Sequence, residues 1–233
     1  MPTRQRPIPR KVKVEISKDE IIRDLKRYRE AALGIKGIND AVIVGQDSIY
    51  VDPRVPYKCA IPRCSSYGIC GNCPPHAISA EETQKLVQCY RHAIFIKKDV
   101  PSELVAGEEL TKAIASGEPD PEQKVIQIGR AYIAIGKAVA TLESMAFYDG
   151  YYLAIGFAAG SCKETLCTKF PNCQVLEGKG CRRPFFARPS MEASGFDAFR
   201  MAAKVGWDVY PIGSSCQPGD IPHGTLMGLV LVT

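Results

Sequence analysis

Cys59, Cys64 and Cys70 stand five and six residues apart along the chain, and Cys162, Cys167 and Cys173 repeat that spacing. A fourth cysteine completes each trio: Cys73 lies three residues after Cys70, and Cys181 eight residues after Cys173. Proline follows both groups closely, at Pro74 and Pro75 and again at Pro184. Eight of the ten cysteines therefore fall into two groups of four. Four thiolates satisfy either a tetrahedral zinc ion or a cubane iron–sulfur cluster, so the pattern points to two metal centres.

A disulfide framework belongs to short secreted chains that cannot bury a sufficient core, and 233 residues can bury one. The opening stretch MPTRQRPIPRKVKVEIS offers no apolar run for a signal peptide, which argues for a cytoplasmic setting and against cross-links. Structural zinc usually takes its ligands from paired CxxC knuckles, and only Cys70 and Cys73 form one here. Iron–sulfur clusters accept more open spacing, and proline after a ligand cysteine is a ferredoxin habit. The expected cofactors are therefore two [4Fe-4S] clusters, with two Zn2+ as the alternative. Lys58, Arg63, Lys163, Lys169, Lys179, Arg182 and Arg183 lie in or beside the cysteine runs, against Glu164 and Glu177. Such cations offset the negative charge of a thiolate-bound cluster, form a docking surface for an acidic partner, or are plain solvated loop charges.

The remaining candidates are weaker. Cys216 and His223 share a polar, glycine- and proline-rich loop with Ser214, Ser215 and Asp220, where a thiol and its base, a further ligand pair, or no role at all are open readings. Cys89 reads as a small buried apolar side chain. His76, next after Cys73-Pro74-Pro75, is either a hydrogen-bond donor to cluster sulfur or a residue without a role. Tyr67 and Gly68 are expected to cover the first centre and to permit a tight loop. No phosphate loop, dinucleotide fingerprint, Ser-His-Asp order or paired-carboxylate signature is present.

These cysteines need elements to hold them. Ser17 and Glu20 cap a helix to about Ala32, and AVIV and SIYVD read as strands joined in a hairpin through Gly45-Gln46-Asp47. After the first cysteine group, Ser79 and Glu82 cap a second helix to about Tyr90, and AIFIKK is a strand. Asp120-Pro121 opens a long helix with one apolar face from Val125 to Met145 and a second apolar side at Ile126, Ile133 and Ala140, as for a helix sandwiched within the core. YYLAIGFAAG leads as a strand into Cys162; after Cys181 come a helix from about Ser190 to Val205, the strand WDVYPI and a last strand over 226–232. Each half thus reads helix, strand, cysteine group, helix, strand. The expectation is an α/β or α+β fold, internally duplicated around a mixed sheet. Its parts are a basic arm (1–16, with Arg4, Arg6, Arg10, Lys11 and Lys13), a first half (17–100), an acidic and polar connecting segment (101–120) and a second half (121–233).

The composition is that of an ordinary globular chain, and a formal charge of +5 does not by itself imply nucleic acid. No stretch approaches eighteen uninterrupted apolar residues, so no membrane span is expected.

The run Cys59-x4-Cys64-x2-Tyr67-Gly68-x-Cys70-x2-Cys73-Pro74-Pro75, with Cys181-Arg182-Arg183-Pro184 leading to Arg188-Pro189-Ser190-Met191-Glu192-Ala193, resembles the family catalogued as domain of unknown function 2284. Its members are described as predicted metal-binding proteins, frequent in anaerobic archaea and bacteria. The resemblance runs from about residue 55 to 210 and implies metal sites at the eight cysteines, without a reaction. Two function classes follow. One is electron transfer, or redox accessory work for a partner oxidoreductase, through two fully thiolate-bound clusters. The other is an iron–sulfur enzyme or maturation factor with one open cluster iron, for which the second group, with its looser last gap and nearby Cys216, is the better candidate. A zinc-stabilised binding module is the third reading.

Overall fold

The computed structural model describes residues 8–12, 15–108, 112, 123–213 and 215–233. In the first half, α1 (Lys18–Leu33) starts where the Ser17 hydroxyl accepts the Glu20 N–H at 3.3 Å, and buries Leu25, Tyr28 and Ala32. Strand β1 (Asp40–Gly45), helices α2 (Arg54–Ala60) and α3 (Ala80–Val87), and strand β2 (His92–Val100) follow. The second half contributes α4 (Lys124–Tyr148), β3 (Ile155–Phe157), α5 (Cys162–Leu166), α6 (Ala198–Lys204) and β4 (Gly224–Leu231). The expected helix start at Asp120-Pro121 lies outside the described residues, as do Arg4, Arg6, Lys13 and Ser214.

The strands form one sheet in the order β1-β2-β4-β3, and every pairing within it is antiparallel. The fold is α+β. The longest ladder joins the halves: Ala93 faces Leu231 and Val100 faces Gly224, with six pairs between. Each half supplies one inner and one outer strand, although β1 has six residues and β3 three.

Alternation along β2 and β4 separates two apolar layers. Ile94, Ile96 and Val230 point to the side where α1 and α4 bring Leu25, Tyr28, Ile135 and Leu142. Phe95 and Leu229 point to the other, with Phe157, Met191, Phe196, Met201 and Trp207. A fully buried side chain of this size contributes about 1.5–3 kcal/mol by leaving water.

Several expectations are corrected. SIYVD does not return beside β1: residues 46–48 form a 3-10 turn, Val51 makes only an isolated bridge to Phe196, and the neighbour of β1 is β2. The helix expected from Ser190 is cut at Gly195, whose left-handed φ of 88° ends a short 3-10 turn, and α6 begins at an Asp197 cap. WDVYPI is not a strand: Trp207 instead stacks on Phe95 at 4.7 Å and donates to Asp40 Oδ2 at 2.9 Å. YYLAIGFAAG narrows to the three residues of β3, with Tyr152 and Leu153 exposed.

Helix α4 is long and apolar enough to cross a membrane by length and composition. In this fold its Ile128, Ile135, Val139 and Leu142 are buried on the layer shared with α1 and the sheet. Its supposed second side is only partly covered, since Ile126 is exposed. At its C-terminal end Arg10 pairs with Asp149 at 3.0 Å and donates its N–H to the Tyr148 carbonyl at 2.7 Å. The described end of the basic arm therefore packs on a helix C-terminus, where a cation is favoured.

Candidate metal centre

The first cysteine run leaves the end of α2, which carries Cys59, and proceeds by consecutive turns. Cys64 N–H donates to the Cys59 carbonyl, Tyr67 to Cys64, Gly68 to Pro74 and Cys73 to Cys70, at 2.9–3.1 Å. A complete capping box between Ser79 and Glu82 then anchors the exit from the run at the start of α3. The second run is a loop closed at its base. Ala158 N–H donates to the Pro189 carbonyl and Met191 N–H to the Ala158 carbonyl, at 2.8 and 2.9 Å. Within it, the Ser161 hydroxyl caps the five-residue α5 that opens with Cys162. Beyond Cys181, Arg188 forks onto Glu143 of α4 through two contacts of 2.7 Å and donates to the Pro184 and Ala187 carbonyls.

Sequence distance between the runs disappears in space. Cys70 Sγ lies 3.5 Å from Cys162 Sγ, Gly71 N–H reaches Cys173 Sγ at 3.4 Å, and Asn72 Nδ2 reaches Cys162 Sγ at 3.5 Å. Ser65 Oγ joins Glu164 across the same seam at 2.9 Å. Close approach depends on Gly71: a Cβ there would stand 2.8 Å from Val175 Cγ1. Further backbone N–H groups, from Asn72 and Arg183, point to Cys70 Sγ and Cys181 Sγ at 3.4 and 3.3 Å. N–H groups aimed at sulfur are what thiolates, bare or metal-bound, require.

Two cavities of about 270 Å³ divide the cysteines. Cys59, Cys64 and Cys73 line one; Cys70, Cys162, Cys173 and Cys181 line the other. Cys167 lies beside Cys181 and Cys173, and burial first, then the neighbouring Cys181, raises its own thiol above the usual range. Hydrogen bonds from Cys162, Cys73 and the Asn72 N–H hold the Cys70 thiol well below its usual range. Cys73 and Cys162 are pushed above theirs, first by that bond to Cys70 and then by burial, and burial raises Cys59. Ionising several such neighbours builds up like charge that a bound cationic centre would offset. Among the described residues no three Cys, His, Asp or Glu side chains converge on one point fit for a single ion.

The lesser candidates take separate places. Among the described residues Cys216 Sγ meets its neighbouring Gln217 carbonyl at 3.7 Å, whereas His223 faces Asp99 at 3.6 Å and the Tyr210 ring. Cys89 is exposed, not buried, because the chain leaves α3 after Val87 and turns it outward. His76 is exposed as well, and its backbone N–H, not its ring, is tied to Cys73. Tyr67 lines the first cavity with Arg63 stacked at 5.3 Å. Tyr132 and Glu192 on the same cavity, and the Arg188–Glu143 fork, were given no role by the sequence reading; Tyr132 carried only an apolar-face signal, and Glu192 and Arg188 only their place in the family motif.

Comparison with curated proteins and with solved structures finds no match to this chain. The family described as predicted metal-binding protein (DUF2284) matches residues 42–232, a span that takes in both cysteine runs and all four strands but the first two residues of β1. Two cysteine runs that meet in space suit that description, and the chain belongs to this family.

Proposed function

We propose that the chain holds two [4Fe-4S] clusters and acts in electron transfer, or as a redox accessory to a partner oxidoreductase, in a cytoplasm where thiols stay reduced. The observation that carries this reading is the convergence of both cysteine runs, with Cys70 and Cys162 sulfurs 3.5 Å apart. When bound, such clusters each take up or release one electron. Seven of the eight sulfurs spread over two adjoining cavities, with Cys167 beside the second, which suits ligands that bind irons at separate corners better than ligands that close on one ion. The N–H groups of Gly71, Asn72 and Arg183 would stabilise negative charge on sulfur and tune the potential upward.

Arg182, half-buried over the Phe170 ring at 4.5 Å, and exposed Arg183, Lys169 and Lys179 give the outer side of the second run a basic face. Phe185 is 80% exposed on that face. Positive charge around exposed aromatic surface fits an acidic redox partner.

The test is iron and acid-labile sulfide per chain on anaerobically prepared protein, with low-temperature EPR before and after dithionite. About eight irons with matching sulfide, and reduced signals broadened by coupling between neighbouring spins, are expected. About two zincs without iron would end the electron-transfer reading and leave a structural metal module.

A further inference from the structure

We propose that the first run builds a three-cysteine centre whose remaining coordination position serves a small molecule in the adjoining cavity. This rests on the iron–sulfur reading above and deepens it. The four cysteines adjacent in sequence do not line one space: Cys59, Cys64 and Cys73 line the cavity of about 270 Å³, while Cys70, hydrogen-bonded to both Cys73 and Cys162, lines the space of Cys162, Cys173 and Cys181. The N–H of the next residue, Gly71, is already engaged with Cys173. The open iron thus belongs to the first run, the reverse of the expectation from cysteine spacing.

The cavity is furnished for a ligand. Ser66 is 3% exposed, and its Oγ, on the cavity wall, has no hydrogen-bond partner among the described residues. Glu192 supplies a carboxylate and Tyr132 a phenol, and among the described residues no lysine, arginine or histidine lines the space. Phosphates and polycarboxylates would find no cation on that wall. A small molecule with an amine for Glu192 and a sulfur, nitrogen or oxygen donor for iron fits.

The experiment uses the full chain loaded with iron and sulfide. Ferricyanide removes one electron, and the iron without a thiolate leaves as ferrous ion, giving a three-iron cluster with its own EPR signal. One cluster of the two should convert, and ferrous ion with dithiothreitol should restore it. Cysteamine should protect that cluster, and Glu192→Gln should weaken its protection about tenfold, equivalent to about 1.4 kcal/mol. Protection by 2-mercaptoethanol, which lacks the ammonium, should not change in the variant. Cys70→Ser should leave the convertible cluster in place and disturb the other. An iron-loaded protein that gives no three-iron signal would overturn the proposal alone, as would loss of that signal in Cys70→Ser or absence of protection by cysteamine. Protein without iron would overturn it together with the reading beneath it.

Discussion

Gly71 sits where the two cysteine runs touch, and the missing side chain is what lets its N–H reach Cys173. Gly71→Ala would force a methyl against Val175, at a cost of about 1–3 kcal/mol for overpacking, and push the runs apart. The expected outcome is lower metal content in the second cavity, recovered in the Gly71→Ala/Val175→Ala double variant, as read by metal analysis and thermal melting. Arg188 is the second residue of this kind. Truncating it to alanine leaves the Glu143 carboxylate, mostly shielded from water, without its fork, for a loss of about 2 kcal/mol. Arg188→Lys keeps the charge but not the planar pair of bonds, and should recover less than half of that loss in a denaturant titration. The two groups of four cysteines were legible in sequence because the grouping is written in residue type and spacing. Gly71 and the Glu143–Arg188 pair were not, because nothing local marks a glycine as a contact or joins residues 45 apart.

At the scale of elements, local chemistry predicted what local chemistry controls. The Ser79–Glu82 capping box is complete, and hydrogen bonds from the Ser79 backbone and hydroxyl hold the Glu82 carboxyl below its usual range. A depressed folded-state value means that this contribution is present above the ordinary glutamate range and is lost as pH falls through the folded value. Wild-type stability should therefore decline more steeply with acid than that of Glu82→Gln, measured by urea midpoints from neutral pH downward. Ser79→Ala should cost about 1 kcal/mol and leave metal content unchanged. Elements failed where partners are distant. SIYVD and WDVYPI have strand composition, but β-propensity describes fitness for a pleated, half-buried surface, and other segments hold that surface. Trp207 serves instead as a lid on Phe95, bonded to Asp40 far back in the chain.

The molecule as a whole joins its halves by the β2–β4 ladder at the centre of the sheet and by the cysteine seam. Helix, outer strand, cysteine run, helix and inner strand recur in the same order, yet neither half closes its own sheet. A fragment covering residues 17–100 should then fail to fold, since β2 would expose Ile94, Phe95 and Ile96 on an unpaired edge. Circular dichroism and thiol accessibility of that fragment, alone and mixed with the complementary piece, check this expectation. Structure in the mixture and none in either part is the predicted result. Sequence alone determined the eight thiols, an alternation of helices and strands that left α/β and α+β both open, and the helix caps, since each depends on residue type over a span of a few positions. That the sheet is antiparallel and not mixed came from the fold. The tertiary structure decided which cysteines meet. Bringing Cys70 to Cys162 takes a central ladder between strands from opposite halves and a glycine thin enough for the runs to touch, and neither condition can be read from spacing along the chain.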